Sequence, residues 1–168
     1  MKKELLKKVI ANISFYLSGE EIVIGGSVAL ELMGMNMPER KKGKQDLDLV
    51  IVNPKESTLN LLKKAMILMP AETKPIEGYG ETSSLIAILS LIIDGNNIKV
   101  DIFKEDSNYE LSDVKFEGFK LASVKSILKA KKSYKRVKDE EDLRHYSEQF
   151  FDYKAYLKDR LYEILFKQ

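Results

Sequence analysis

Two aspartates lie one residue apart in a stretch whose other residues are typical of a buried strand. They are Asp46 and Asp48, in the sequence QDLDLVIV at positions 45–52. Residues two apart on a strand project to the same face, so both carboxylates point one way while the apolar residues between them point to a core. Like charges this close raise each other's pKa and favour a bound cation, and carboxylate oxygens suit Mg²⁺ or Mn²⁺. The alternative is a solvated strand edge whose two acids bind nothing.

A third acid, Asp101, interrupts the apolar run IKVDIF at positions 98–103. A lone carboxylate among valine, isoleucine and phenylalanine requires a partner. If its strand lies beside the strand of Asp46 and Asp48, three carboxylates converge. Three carboxylates are what two divalent ions need when the attacking and leaving oxygens of a phosphoryl transfer are both stabilised.

A glycine pair precedes these acids, in the sequence IGGS at positions 24–27. We expect a strand to end there and a helix to begin. Paired glycines let a ligand approach the backbone, a helix N-terminus attracts anions, and Ser27 adds a hydroxyl. Turns of this kind are also common wherever a chain reverses sharply, so the glycines by themselves do not establish a phosphate site.

The composition removes most other kinds of chemistry. The chain has 168 residues, no cysteine and one histidine, His145, which excludes disulfides, thiolate or multi-histidine metal sites and a cysteine nucleophile. These exclusions direct any chemistry to carboxylates. The length predicts one domain. No signal peptide or membrane-spanning run is visible, so we expect a cytoplasmic protein without a membrane partner.

The elements that must position the acids follow from apolar spacing and turn residues. They predict an α/β fold, α+β in stricter terms, in which a small mixed sheet carries the acids on one face and helices cover the other. Residues 1–118 would form the catalytic core, and residues 119–168 a helical segment that closes the cleft within one compact unit. The predicted order is helix 2–17, strand 21–24, helix 28–33, strand 46–52, helix 57–69, a hairpin of 83–93 with 98–103, and helices from residue 121.

These motifs, in this order, resemble the polymerase-β-type nucleotidyltransferase superfamily. The sequences GGSVAL (25–30) and DLDL (46–49) are closest in pattern to the AbiEii-like and uncharacterised small nucleotidyltransferases. AK (130–131) with RVKDEEDL (136–143) also resembles a helical motif of that group, so the resemblance spans roughly residues 20–146. Gln45 departs from the pattern, because many relatives have serine or threonine there.

The resemblance implies a Mg²⁺-dependent enzyme that moves a nucleoside monophosphate from a nucleoside triphosphate to a hydroxyl acceptor and releases pyrophosphate. The acceptor stays open among RNA, a protein and a small molecule. Asp101 would also be the general base, and Arg136 and Asp139 would join helices. The implied triphosphate contacts are Gly25, Gly26, Ser27 and Lys131, and the implied metal ligands are Asp46, Asp48 and Asp101.

Two further features bear on partners. Residues 120–138 hold eight basic residues and no acidic one, and residues 40–44 add four more; such runs attract RNA or triphosphate, or are simply solvated faces. The aromatic residues between Phe150 and Phe166 predict a core stripe or a homodimer contact. Two alternatives to an enzyme therefore remain: a non-catalytic interaction protein of the same fold, of the toxin–antitoxin type, and an RNA-binding module.

Overall fold

The computed structural model of the chain describes residues 1–37, 45–68 and 84–149. The basic residues 40–44, the predicted connection 71–81 and the aromatic residues from Phe150 onward lie outside these ranges. Within them the helices are α1 (Lys3–Tyr16), α2 (Gly26–Leu32), α3 (Glu56–Leu68), α4 (Val124–Tyr134) and α5 (137–149). The strands are β1 (Glu21–Ile24), β2 (Gln45–Val52), β3 (Leu85–Ile93), β4 (Asn96–Glu105), β5 (Leu111–Phe116) and β6 (Phe119–Ala122).

The six strands form one mixed sheet in the order β3-β4-β2-β1-β6-β5. β2 runs parallel to β4 and antiparallel to β1, and β6 runs parallel to β1. The hairpins β3–β4 and β5–β6 are antiparallel. The predicted α+β fold with a small mixed sheet is therefore confirmed, and β2, which carries two of the acids, lies at its centre.

The core follows the alternation seen in the sequence. Leu47, Leu49 and Ile51 of β2 are at most 1% exposed, and Asp46 and Asp48 occupy the alternate positions. Helix α1 adds a buried stripe that includes Leu6 and Val9. Burial of these side chains holds β2 in its register, because a slip of one residue would move the leucines to the polar face.

The β5–β6 hairpin was not predicted from the sequence. β5 is an edge strand, and its middle residues, Asp113, Val114 and Lys115, are exposed, so no hydrophobic alternation marks it. The predicted boundary at residues 118/119 lies in the turn of this hairpin, while β6 pairs with β1 of the core. The division into core and helical segment stays a prediction.

None of the helices within the described ranges combines the length and the apolar character needed to cross a membrane.

Candidate active site

The parallel pairing of β2 with β4 brings two of the predicted acids side by side. Asp48 and Asp101 are direct partners in the register, and Asp46 lies opposite Lys99. Partners on neighbouring parallel strands project to the same face about 4.8 Å apart along the sheet. The condition set in the sequence analysis, that these two strands are neighbours, is therefore met. We call Asp46, Asp48 and Asp101 the strand acids.

The three strand acids have different surroundings. Asp101 is 1% exposed, and its Oδ2 accepts a hydrogen bond of 2.7 Å from Lys99 Nζ. The Asp46 side chain is 38% exposed and lies 3.1 Å from Lys138 Nζ. Asp48 is partly buried and faces a cleft described below. Asp46 and Asp101 are thus each ion-paired with a lysine.

Asp48 is a strand acid whose ionised form is disfavoured by its surroundings. Burial raises the pKa of its carboxyl, the neighbouring Asp101 raises the pKa further, and Lys131, Lys138 and Arg136 oppose the shift. A raised pKa means that the folded protein disfavours the ionised form. A divalent ion beside Asp48 would remove that disadvantage.

The strand acids fit a divalent ion by donor type, since Mg²⁺ prefers carboxylate oxygens. In the described residues, however, no three acidic or histidine side chains lie close enough together to form a metal-binding group. Asp48 is the strand acid that lines the cleft. Asp101 and Asp46 would join it in holding an ion by exchanging their contacts with Lys99 and Lys138.

The glycine pair packs directly against Asp48. The Gly25 N–H donates a hydrogen bond of 2.8 Å to the Asp48 carbonyl oxygen. Gly26 has φ +59°, and a Cβ on it would lie 1.9 Å from Asp48 Oδ2. Any larger residue at position 26 would have to displace the carboxylate, so the glycine is required by the acid itself.

Ser27 and Lys131, both predicted to bind triphosphate, lie in a buried polar cluster. Lys131 is 6% exposed, and its Nζ lies 2.6 Å from Asp142 Oδ2 and 3.2 Å from Ser27 Oγ. The Ser27 hydroxyl donates to the same Asp142 oxygen at 2.8 Å. These contacts connect α2, α4 and α5.

Asp139 extends this cluster on α5. It is fully buried, lies 3.6 Å from Lys131 Nζ and accepts a 2.6 Å hydrogen bond from Arg136 Nε. The structural role expected for Arg136 and Asp139 agrees with this geometry. We call Ser27, Lys131, Arg136, Asp139 and Asp142 the helix network.

A cleft of about 780 Å³ opens above Asp48. Its volume is in the range of ligand pockets. Gly25, Gly26 and Asp48 line one part, and the segment after β4 lines another, including Glu105, Asp106, Tyr109 and Glu110. Helix α4 forms the remaining side with Lys125, Ser126, Lys129, Ser133 and Tyr134.

Two tyrosines border this cleft as neutral phenols. Burial and the nearby Glu105 raise the pKa of Tyr109, and burial raises that of Tyr134. The Tyr134 ring stacks on Phe103 with centroids 6.4 Å apart, and the Arg136 guanidinium lies 5.1 Å from its centroid. Tyr134 is therefore held by neighbours on the protein side of the cleft.

Most of the basic run 120–138 is neutralised by acids from other elements or its own helix. Lys120 pairs with Glu21 at 2.5 Å and Lys125 with Glu110 at 2.6 Å, while Lys138 pairs with Asp46. Lys131 and Arg136 belong to the helix network. Lys129, Lys132 and Lys135 have no acidic partner among the residues that the structure describes.

Sequence reasoning did not single out the cleft-facing side of α4. Lys125, Lys129 and Ser133 recur every four residues, which places them on one helix face. The basic run had contained two of them without separating them from Lys131. Their spacing was the available signal, but only the packed structure shows which face of the helix meets the cleft.

No protein-family model and no curated protein matches this chain. Two solved structures resemble it: JHP933 from Helicobacter pylori, and an H. pylori protein whose assignment as a nucleotidyltransferase is provisional. Each is 22% identical to this chain with a TM-score of 0.42, and they cover 77% and 78% of it. The chain spans only 55% and 59% of their lengths.

Proposed function

We propose that this chain is a metal-dependent nucleotidyltransferase that moves a nucleoside monophosphate from a nucleoside triphosphate to a hydroxyl acceptor and releases pyrophosphate. The observation that carries the proposal is the direct pairing of Asp48 with Asp101 on neighbouring parallel strands. One of the pair opens onto a cleft of ligand size beside the Gly25–Gly26 backbone.

The charges of the cleft support a requirement for a divalent cation. Its lining includes four carboxylates, those of Asp48, Glu105, Asp106 and Glu110, against the two lysines 125 and 129. A triphosphate is itself strongly anionic, so such a lining repels it unless a cation is bound with it. The preferred cofactor is Mg²⁺ or Mn²⁺, because the available donors are hard oxygens.

Asp48 and Asp101 would hold the ion, joined by Asp46. The ion would stabilise negative charge on the α-phosphate and on the leaving pyrophosphate. The chain's own part is to fix the two carboxylates by strand register and to keep the backbone at Gly26 free of a side chain. Lys99 holds Asp101 by an ion pair from the same strand. The base role implied for Asp101 requires an acceptor hydroxyl to reach a carboxyl that is 1% exposed, and it stays a prediction.

The test measures transfer of label from α-³²P-labelled ATP, CTP, GTP or UTP to total RNA or protein with Mg²⁺, together with release of pyrophosphate. Asp48→Ala should reduce the rate at least about 100-fold, the scale of removing one essential electrostatic group. Asp113→Ala is the matched control, because Asp113 is exposed on the edge strand β5. Absence of triphosphate binding by the wild type with Mg²⁺ would refute the proposal.

A second candidate function is a non-catalytic interaction protein of the same fold, such as a toxin–antitoxin component. It is favoured by one observation: lysines already neutralise Asp46 and Asp101, as in a site that needs no cation. Under this alternative, Mg²⁺ with a triphosphate would leave the melting temperature unchanged. The enzyme proposal expects Mg²⁺ with a triphosphate to raise it. An RNA-binding module is less well supported, since five of the eight basic residues in 120–138 are ion-paired.

A further inference from the structure

The two faces of α4 carry lysines with opposite surroundings. Lys131 points inward, where Asp142 and Asp139 lie 2.6 and 3.6 Å from its Nζ. Lys129 is exposed and lines the cleft. Two residues along a helix turn the side chain by about 200°, so the two lysines project to opposite sides of α4.

Lys131 is poorly suited to a ligand for a second reason. Asp139 and Asp142 are at most 1% exposed, and Lys131 and Arg136 are the cations that neutralise them. If Lys131 turned to a phosphate, the two buried carboxylates would lose a cation that contacts both of them. A buried charge that loses its partner is strongly destabilising, so this lysine is tied to its place.

On the cleft side, Lys129 is the more available of the two lysines. Lys125 is paired with Glu110 at 2.6 Å. Lys129 has no acidic partner within the described ranges, and Ser133 follows it by four residues on the same cleft-lining face. An ammonium and a hydroxyl one turn apart are suitable donors to phosphate oxygens.

We propose that Lys129, assisted by Ser133, is the α4 cation that contacts the triphosphate, and that Lys131 is a structural tie of the helix network. This inference rests on the proposed function. It replaces the role that the sequence motif implies for Lys131 with one for a residue outside that motif. The contact is to phosphate, so it should not depend on the nucleobase.

The experiment measures binding of Mg²⁺ complexes of α,β-methylene-ATP and of inorganic tripolyphosphate by isothermal titration calorimetry. Lys129→Ala should weaken both about tenfold, the scale of one charge-assisted hydrogen bond. Lys129→Arg should retain most of the affinity. Lys132→Ala is the matched control, because Lys132 is exposed on the same helix but does not line the cleft, and it should bind as the wild type does.

The outcomes separate this inference from the function beneath it. If the wild type binds neither probe, both fail. If the wild type binds, Asp48→Ala abolishes binding and Lys129→Ala does not weaken it, the role of Lys129 is refuted and the proposed function stands. An equal loss in Lys132→Ala would also refute the role of Lys129, because the effect would then be one of overall charge. Unchanged melting temperatures of the exposed-lysine variants show that each has folded.

Discussion

The helix network and the strand acids both combine aspartates with basic residues, but their charges are paired differently. In the helix network, Lys131 and Arg136 match Asp139 and Asp142, and the side chains of Lys131 and the two acids are at most 8% exposed. Among the strand acids, Lys99 and Lys138 are ion-paired with Asp101 and Asp46, and Asp48 has no ion pair among the described residues. The acids of the helix network are thus matched by direct ion pairs, whereas the charge of Asp48 at the cleft is only partly offset by Lys131, Lys138 and Arg136.

The difference teaches how to tell a structural charge cluster from a binding one. In a buried cluster with equal numbers of acids and bases the charges are matched within the protein, and removal of one partner is strongly destabilising. A cluster whose unmatched member faces a cleft, with a raised pKa, is a candidate for function. This criterion favours a structural role for Lys131 and Ser27, whose predicted contacts with triphosphate stay predictions, and it makes Asp48 the centre of the candidate site.

The largest effect should come from opening the closed cluster. Lys131→Met removes a cation that contacts both buried carboxylates, Asp139 and Asp142, and we expect the free energy of unfolding to fall by about 3–5 kcal/mol. Urea denaturation would measure it. Lys132→Met, the same change at the exposed neighbouring position, should stay within about 0.5 kcal/mol of the wild type. A loss below about 1 kcal/mol in Lys131→Met would contradict the structural role.

The next effect should come from the backbone beneath Asp48. Gly26→Ala places a methyl group 1.9 Å from Asp48 Oδ2 at φ +59°. The left-handed conformation costs about 1–2 kcal/mol, and displacement of the carboxylate adds to it. Gly34→Ala is the control, because Gly34 has φ +91° and a Cβ there meets nothing within 4 Å.

The two alanine variants should therefore differ in more than stability. In urea denaturation, both should show a lower free energy of unfolding because of the strained backbone. Only Gly26→Ala should also lose Mg²⁺-dependent triphosphate binding. Equal binding by the two would show that Asp48 adapts to the methyl group without harm. The comparison separates the general penalty of a positive φ from the specific contact.

The alternation on β2 correctly predicted that Asp46 and Asp48 share a face. Residues two apart on a strand project to the same side, and the residues between them are buried. The pairing of β2 with β4 was conditional, and the structure supplied it through the register of Asp48 with Asp101. The β5–β6 hairpin was missed because its exposed edge strand lacks a hydrophobic pattern. Local periodicity thus recovers the elements that bury a face and misses those that do not.

The roles of Ser27, Lys131 and Lys129 could not be separated from the sequence. Ser27 and Lys131 belong to the motifs and Lys129 lies two residues before Lys131, and the distinction depends on which face of α4 packs against α2 and α5. That choice is made by Asp142, which is 115 residues from Ser27 along the chain. Long-range pairings of this kind leave no local signal in the sequence. A motif can therefore identify the helix but not which of its faces lines the cleft.

The smallest effect, and the one with a defined pH dependence, concerns the charge on Asp48. Because its pKa is raised in the folded state, the folded protein binds the proton more tightly than the unfolded chain does. Stability from this group is therefore present below the ordinary aspartate pKa of about 4 and is lost as pH rises through the raised pKa. Asp48→Asn removes the charge, so at pH 7 it should raise the free energy of unfolding by about 0.5–1 kcal/mol, the scale of a like-charge pair on adjacent strands.

That gain should shrink as the pH is lowered towards about 4, where wild-type Asp48 becomes protonated as well. Urea denaturation at pH 4, 5.5 and 7 would measure it, with Asp113→Asn on the exposed edge strand as the control that shows no such trend. Mg²⁺ then tests the comparison between the two clusters. If the charge of Asp48 serves a cation, Mg²⁺ with a triphosphate should stabilise the wild type and not Asp48→Asn. The stability advantage of Asp48→Asn at pH 7 should then shrink or reverse. Suppose instead that the stability difference between the wild type and Asp48→Asn does not depend on pH and is unchanged by Mg²⁺ with a triphosphate. The charge of Asp48 would then serve no cation, like the matched charges of the helix network.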